Sequence, residues 1–237
     1  MLFPLLIRER NGEKLLPWTK GKSILQDTIG SIRNPLDVIK DMIKGFSLKR
    51  TLIVALFLLC ASIGDGINAA KLPILYTQVL GWGADSYSQV AGGIGPFFEF
   101  FGAILGGFLA DKLGRKKTIM MGYGGFGLIA VIFGIFPLYW YSEWFSSAYL
   151  IIPSFFRALG TVAVFSLCMN ISWTKSAATM FTCYMAISNI STTIGTKSAA
   201  SLDNFLSCPN HLFIAVGIIA IVPLLIISFI NLDNKNN

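Results

Sequence analysis

Four ionisable residues stand inside long apolar runs of this 237-residue sequence: Asp65, Lys71, Glu99 and Arg157. A charged side chain inside a bilayer costs about 2.5 kcal/mol or more on insertion scales, so each one is a candidate for moving solutes or protons. Lys71 and Arg157 can bind an anionic solute, and Asp65 or Glu99 can carry a coupling proton. The alternative is structural pairing, in which the carboxylates and the basic side chains neutralise each other without taking part in transport.

Helical spacing indicates where these side chains point. Asp65, Asn68 and Lys71 are three residues apart, so a helix places them on one face as a polar stripe toward a cavity. Glu99 shares a face with glycines, which let neighbouring backbones approach closely, and we expect it to face protein. Tyr184 and Asn189, in the apolar run at 176–195, carry hydrogen-bonding groups that are expected to face the same interior. The predicted substrate-binding residues are Lys71, Arg157, Asn68, Tyr184 and Asn189, and the predicted proton carriers are Asp65 and Glu99.

The composition predicts an all-α membrane protein. Hydrophobic residues make up 54% of the chain and charged residues 13%, about half the charged fraction of a soluble domain. A span needs about 20 apolar residues, and runs of that order lie near 51–78, 86–110, 117–138, 148–171, 176–195 and 211–231. We therefore predict a cytoplasmic leader at 1–50, one bundle of six transmembrane helices at 51–231 and a cytoplasmic tail at 232–237, with a kink at Pro73.

Basic residues predict the orientation of the bundle. They concentrate in the leader, in residues 112–117 and in the segments that hold Lys175 and Lys235, whereas the loops near 79–85, 139–147 and 196–210 hold only Lys197. Because cytoplasmic segments are enriched in Lys and Arg, both termini are predicted to be cytoplasmic. An aromatic belt is expected at the opposite boundary, from Trp82, Trp140, Tyr141 and Trp144. The basic excess is thus explained by topology, and no nucleic-acid partner is expected.

The leader contains a predicted amphipathic helix. Asn34 followed by Pro35 is typical of a helix start. Apolar residues then recur at helical spacing, with charged residues off that stripe: Leu36, Ile39, Ile43 and Phe46 against Asp37, Lys40, Asp41 and Lys44. The pattern indicates a helix in the membrane interface that leads into the first span. A linker helix without lipid contact is the alternative.

A short charged segment separates the second and third runs, and it reads Gly107-Phe108-Leu109-Ala110-Asp111-Lys112-Leu113-Gly114-Arg115-Lys116-Lys117. Gly114 permits a sharp reversal, because glycine reaches positive φ without a steric penalty. Asp111 can cap or face a neighbouring helix N-terminus, where negative charge is favoured. We predict a gating loop formed by Gly107, Asp111, Gly114 and Arg115. The alternative is that its charges only set the topology.

This segment resembles the loop signature of the major facilitator superfamily, commonly written G-x-L-a-D-r-x-G-r-k. The matching residues are Gly107, Leu109, Ala110, Asp111, Lys112, Gly114, Arg115 and Lys116. The resemblance implies a secondary transporter that works by alternating access between two six-span bundles, of which this chain is similar to the carboxy-terminal one. It also implies partners: the lipid bilayer, a small-molecule substrate, and a separate six-span first half or a second copy.

The resemblance narrows to the AmpG-like permeases of the peptide–acetyl-coenzyme A–drug transporter group. The segments that carry it are Ile63-Gly64-Asp65, 81–90, Ala177-Ala178-Thr179-Met180-Phe181 and Met185-Ala186-Ile187-Ser188-Asn189. It implies a proton-coupled symporter for a small anionic or peptide-like solute, located in the bacterial inner membrane.

Other classes of function find little support in the sequence. A membrane enzyme is not expected, because no Ser/His/Asp set and no phosphate-binding loop is recognisable. Four scattered cysteines and one histidine form no metal-binding spacing, so neither a metal nor a cofactor is expected. A non-transporting membrane scaffold, or the remnant of a split transporter gene, remains the alternative to a transporter.

Overall fold

Apolar runs that carry glycine and proline fold into helices throughout the described part of the chain. The computed structural model describes residues 35–172, 177–206 and 208–229, and no β-strand occurs within these ranges. In chain order the α-helices are α1 (Pro35–Phe46), α2 (Lys49–Ala61), α3 (Ile63–Ile74), α4 (Ala84–Ser88), α5 (Gly95–Lys112), α6 (Arg115–Ile135), α7 (Glu143–Ile171), α8 (Ala177–Leu206), α9 (Pro209–Ile221) and α10 (Pro223–Ser228). Two π-helical turns, Leu75–Val79 and Gln89–Ile94, and a 3₁₀ turn, Pro137–Tyr139, join some of them.

The chain divides into two compact units, Met1–Asp41 and Met42–Asn237, and the helical bundle described below belongs to the second unit. Parts of the predicted organisation lie outside the described residues. These are leader residues 1–34 with the Asn34 cap, Lys175, and the tail at 232–237.

Five helical segments of the described ranges are long and apolar enough to cross a membrane: Lys49–Val79, Ala84–Lys112, Arg115–Ile135, Glu143–Ile171 and Pro209–Ser228. They coincide with five of the six predicted runs. The sixth run, 176–195, lies on α8, a helix of 30 residues whose serine, threonine and asparagine residues lower its hydropathy, and α8 is not among the five. The count of six spans is therefore not confirmed.

Helix α8 also corrects one predicted boundary. Residues 196–210 were expected to form a loop, but α8 continues to Leu206. The added turns contain alanine and leucine, which favour helix, and an ion pair from Asp203 to Lys71 ties them to α3.

Proline and a local break interrupt the first span. The helix is interrupted at Ser62, between α2 and α3, and Pro73 lies inside α3, just before the π-helical turn Leu75–Val79. Proline has no backbone N–H to donate and its ring crowds the preceding turn, so it disturbs the regular hydrogen-bond ladder. A π-helical turn thus follows Pro73 closely, and the kink predicted at Pro73 stays a prediction.

Glycines let the helices approach closely. A Cβ at Gly66 on α3 would collide with the Thr192 carbonyl of α8, and a Cβ at Gly106 on α5 would lie 2.6 Å from the Leu159 carbonyl oxygen of α7. Similar close contacts occur at Gly102, Gly122, Gly127, Gly134, Gly195 and Gly217. Helices in a membrane associate through such small residues, because the surrounding lipid supplies no hydrophobic driving force between them.

Two buried clusters mark the two ends of the bundle. One lies at a single end of the bundle, where some helical segments begin and others finish, and it joins Phe57, Ile119, Leu167, Tyr184 and Ile227. We call this end the basic end, because the flanking residues there are Lys44, Lys49, Arg50, Lys112, Arg115, Lys116 and Lys117. The contact from Lys116 Nζ to the Ser228 carbonyl oxygen, 2.6 Å, lies at this end.

The second cluster, at the opposite end, is aromatic. Phe133 stacks on Tyr149 with ring centroids 3.8 Å apart and on Trp140 at 4.8 Å, and Phe213 meets Phe133 edge-on. Trp140 is only 5% exposed and donates from Nε1 to the Phe133 carbonyl at 2.7 Å. The prediction that Trp140 belongs to an aromatic belt is therefore wrong, because its indole is part of the core. Trp144, in contrast, is 89% exposed.

Candidate functional site

Three of the four predicted intramembrane charges meet in one cluster. Arg157 on α7 donates from Nη2 to Oε1 of Glu99 on α5, and its Nε lies 3.7 Å from Oδ1 of Asp65 on α3. One guanidinium therefore serves two carboxylates, which gives the cluster a formal charge of −1. We refer to Asp65, Glu99 and Arg157 as the charge cluster.

Close helix packing positions the charge cluster. Gly102, one turn after Glu99, faces the Phe155 backbone so closely that a Cβ would collide with the Phe155 carbonyl. Because α5 lies close to α7 at this point, Glu99 on α5 and Arg157 on α7 come within hydrogen-bond reach. The predicted glycine face of α5 thus has a direct consequence for the site.

Two members of the charge cluster, Glu99 and Arg157, line an open cavity. The Arg157 side chain is 41% exposed, that of Glu99 is 37% exposed and that of Asp65 is 28% exposed. The cavity has a volume of about 390 Å³, and its lining residues are Pro96, Glu99, Phe100, Ala103, Arg157, Ala158, Thr161 and Val162. A small solute in this cavity can reach the guanidinium while an apolar wall contacts the rest of the molecule.

Gly114 has the predicted backbone conformation. Its φ is +92°, in the region that favours glycine, and it precedes α6 as the N-cap residue. Arg115 donates from Nε to Oγ of Ser166 on α7 at 2.8 Å. A Cβ at Gly107 would lie 3.9 Å from Cγ1 of Val162, which is an ordinary van der Waals distance.

Asp111 does not cap the helix that follows it. It lies exposed in the last turn of α5, where neither a hydrogen bond nor an ion pair joins it to another described residue. The N-cap position of α6 belongs to Gly114, and no side chain accepts a hydrogen bond from the first turn. Asp111 therefore does not cap α6, because Gly114 occupies the N-cap position, and the alternative that Asp111 faces the N-terminus of another helix stays a prediction.

The comparison with protein families identifies the chain. The family model of the Major Facilitator Superfamily matches residues 1–196. The chain belongs to this superfamily. No curated protein and no solved structure matches it. Together with the five apolar helical segments, the family establishes a multi-pass membrane protein of a superfamily whose members are generally transporters.

The three residues of the predicted polar stripe, Asp65, Asn68 and Lys71, each have a different partner in this superfamily member. Asp65 belongs to the charge cluster, whereas Asn68 is buried and accepts a hydrogen bond from the Tyr149 hydroxyl at 2.9 Å. Lys71 lies nearer the end of the bundle opposite the basic end, where its Nζ is 2.5 Å from Oδ2 of Asp203. The structure therefore does not bring Lys71 together with Arg157.

Two other predicted ligands lie away from the charge cluster. Tyr184 is fully buried in the basic-end core, where its ring centroid lies 5.5 Å from that of Phe46. Asn189 is exposed on α8, and neither residue lines the cavity beside Arg157.

The sequence did not reveal Asp203, Tyr149 and Ser166 as partners of predicted site residues. Asp203 lies in a segment that was expected to be a loop. The sequence feature that could have indicated it is an acidic residue among alanine and leucine, which favour helix. Tyr149 and Ser166 are common residue types in membrane helices, so no local pattern singled them out. Within the described ranges no group of three or more His, Cys, Asp or Glu residues is placed to hold a metal ion.

Proposed function

We propose that this protein is a secondary active transporter that moves a small anionic or peptide-like solute together with a proton. The observation that supports the proposal is the charge cluster, in which Asp65 and Glu99 share Arg157 beside an open cavity. The resemblance to AmpG-like permeases favours a peptide-like solute and a permease that acts as a symporter. The mechanism is alternating access around a site between two bundles.

Exchange of partners at Arg157 can couple the two fluxes. An anionic group of the solute competes with Glu99 and Asp65 for the guanidinium. A carboxylate that loses this partner is costly as an ion inside the membrane, so it takes up a proton. The solute adds one negative charge and the proton one positive charge, and the formal charge of the cluster stays at −1. Anion and proton therefore bind together.

The proposal gives each residue of the charge cluster a separate task. Arg157 holds the anion, and Asp65 is the first candidate for the proton because its contact with Arg157 is looser than that of Glu99. Lys71 can contact solute only in a state in which its pair with Asp203 opens. Asn68 supports the site through Tyr149, and the proposal does not use Tyr184 or Asn189.

A second bundle is needed to close the cavity around a solute. We propose that α8 serves as a sixth span and that another six-span bundle, from a first half or a second copy, faces the charge cluster. The positive-inside rule assigns the basic end, and with it both termini, to the cytoplasm. By the same resemblance the membrane is the bacterial inner membrane.

Uptake of a panel of solutes tests the proposal. Cells that express the chain, alone or with a six-span first half of the superfamily, are given labelled organic anions and short peptides, with neutral sugars as the comparison. At equal amounts of protein in the membrane, we expect uptake of an anionic solute that Arg157→Gln abolishes and that Lys117→Gln leaves unchanged; Lys117→Gln removes a positive charge at an exposed position of the basic end. If no solute is taken up, or if Arg157→Gln transports normally, the scaffold interpretation is favoured.

A further inference from the structure

Two open cavities follow one face of α7. The cavity beside the charge cluster and a second cavity, of about 470 Å³, share Val162 as a lining residue. Helix α7 contributes to their walls in pairs of residues, at 157–158, 161–162, 165–166 and 169–170. A repeat of four is close to one helical turn, so the pairs form a single stripe about 20 Å long. We call the two cavities together the α7 groove.

The stripe is the side of α7 that the bundle leaves uncovered. Leu159, Ala163 and Leu167, which lie between the pairs, are buried in the bundle. The residues of the stripe itself are half-exposed or exposed, and Met169 near its end reaches 67%. The α7 groove is therefore a continuous surface feature that runs from the charge cluster to the basic end.

An arginine stands at each end of the α7 groove. Arg157 lines the first cavity, and Arg115, the first residue of α6, lines the second. Nε of Arg115 donates to Oγ of Ser166 at 2.8 Å, which holds the guanidinium against the stripe. This bond uses one of the five N–H donors of a guanidinium, and the two terminal nitrogens can bind an anion.

The walls around Arg115 suit a small organic anion. Among the described residues that line the second cavity, Arg115 alone is charged. Asn170 offers an amide that can donate a hydrogen bond, while Phe165 and Met169 supply an apolar surface. Arg157 and Ser166 are nine residues apart, about 14 Å along the helix axis. A small anion therefore cannot occupy both ends of the groove at once.

We propose that Arg115 forms a second anion site and that an anionic solute moves along the α7 groove between Arg157 and Arg115. An anion that leaves Arg157 toward the basic end meets a second guanidinium, which binds carboxylate or phosphate through paired hydrogen bonds. Its apolar part contacts Val162, Phe165 and Met169 on the way. The solute route rests on the proposed function, whereas the anion site requires only the groove and Arg115.

Charged thiol reagents test the anion site without a transport assay. The full chain, with Cys60, Cys183 and Cys208 changed to alanine and the buried Cys168 kept, is held in micelles of a neutral detergent. A single new cysteine is then introduced in the groove. Its reaction rate is measured with two methanethiosulfonates, one that carries a sulfonate and one that carries a trimethylammonium group. The parent protein without the new cysteine gives the background.

The cysteines are placed by the geometry of the groove. Val162→Cys lies where the two cavities meet, and Asn170→Cys lies beside Arg115. The control is Leu128→Cys on α6, an exposed apolar position that lines neither cavity. We expect both groove cysteines to react with the aqueous reagents, and Leu128→Cys to react slowly because detergent covers it. Groove cysteines as slow as the control would mean that the groove is covered, and would overturn the proposal.

The charge of Arg115 decides between an anion site and an ordinary wet surface. We expect the sulfonate to react faster than the trimethylammonium reagent at both groove positions. One charge a few ångströms away in water changes such a rate about fivefold, so Arg115→Gln should lower the ratio of the two rates by about that factor. Ser166→Ala, which keeps the charge, and Lys117→Gln should change it less. A ratio that Arg115→Gln leaves unchanged would overturn the anion site.

A lipid phosphate is the other source of an anion at this end of the bundle. The same rates are therefore measured in vesicles of phosphatidylcholine with phosphatidylglycerol. A preference for the sulfonate that persists there supports a site open to solutes. A preference that is present in micelles and lost in these vesicles would mean that lipid occupies Arg115, and would overturn the solute route.

Uptake separates the solute route from the proposed function. At equal amounts of protein, Arg115→Gln should slow uptake of the anionic solute about fivefold, and Arg115→Lys, which keeps the charge, should recover part of the rate. Normal uptake by Arg115→Gln would overturn the route and leave the proposed function standing. A sulfonate preference that depends on Arg115, in a protein that takes up no solute, would support the anion site and contradict the proposed function.

Discussion

Nε of Arg157 lies 3.7 Å from Oδ1 of Asp65, while Nη2 of the same guanidinium is bound to Glu99. The two carboxylates therefore hold Arg157 unequally, Glu99 through a hydrogen-bonded ion pair and Asp65 through a longer contact. An arrangement in which one acid can leave while the other remains suits exchange with a solute better than a single tight pair does.

Removal of the arginine should destabilise the bundle. Arg157→Gln leaves Asp65 and Glu99 without their cation, and a charge inside the membrane costs about 2.5 kcal/mol or more. We expect a lower temperature of half-unfolding in detergent micelles and less protein in the membrane. Adding Glu99→Gln to Arg157→Gln should restore part of the loss. A double variant less stable than the single one would show that the pair is not the cause.

The ion pair between Lys71 and Asp203 should respond asymmetrically. The Lys71 side chain is 15% exposed and that of Asp203 is 44% exposed. Asp203→Asn leaves a largely buried ammonium with a weaker partner, which should cost about 1–3 kcal/mol. Lys71→Gln leaves a well-exposed carboxylate and should cost less than about 1 kcal/mol. The measurement is the unfolding midpoint of each variant. A larger loss of stability from Lys71→Gln than from Asp203→Asn would contradict the view that Lys71 is the more buried partner.

Two adjacent glycines offer a matched test of helix packing. A Cβ at Gly106 would lie 2.6 Å from a backbone oxygen of α7, whereas one at Gly107 would have its nearest neighbour at 3.9 Å. Gly106→Ala should therefore destabilise the protein by about 1–3 kcal/mol, and Gly107→Ala should not. The measurement is thermal unfolding of both variants in the same detergent. Equal midpoints would mean that α5 can move away from α7 without loss.

Local patterns predicted much of the fold. The length of the apolar runs predicted six membrane-spanning segments, five of which coincide with helical segments long and apolar enough to span, and glycine at position 114 predicted a backbone that can reach positive φ, as it does. Each of these features depends on residues close together in sequence. The end of α8 was missed because serines and an aspartate resemble a loop, and only the distant Lys71 shows why the helix continues.

The site was less accessible to sequence reasoning than the fold was. The four intramembrane charges were found from their cost in lipid, and pairing with Arg157 was among the alternatives. The choice of partners depends on which helices touch, so Asp203 for Lys71 and Tyr149 for Asn68 could not be derived from spacing. Trp140 was assigned to the surface because an aromatic residue near a span end is typical of a belt, and the stacking on Phe133 is a long-range packing feature.

The loop at Gly114 provides a test of gating. At φ of +92° a valine is strained by about 1–3 kcal/mol, so Gly114→Val should slow transport while membrane insertion remains. Asp111 is exposed, so Asp111→Asn should leave stability unchanged, and the gating hypothesis expects slower transport from this variant too. Uptake rates at equal protein level are compared with those of Lys117→Gln. Normal rates in both variants would restrict the loop to a topological role.

The most direct test of proton coupling compares accumulation with exchange in the Asp65→Asn variant. Vesicles that contain the chain, assembled with its second bundle, are given the transported solute with and without an imposed proton gradient. Asp85→Asn, at an exposed residue of the short helix α4, is the control and should behave as the unchanged protein does. We predict that Asp65→Asn no longer concentrates solute in response to the gradient but still exchanges it down its own gradient. Continued gradient-driven accumulation by Asp65→Asn would contradict the coupling role of Asp65 and leave Glu99 as the remaining acid of the charge cluster.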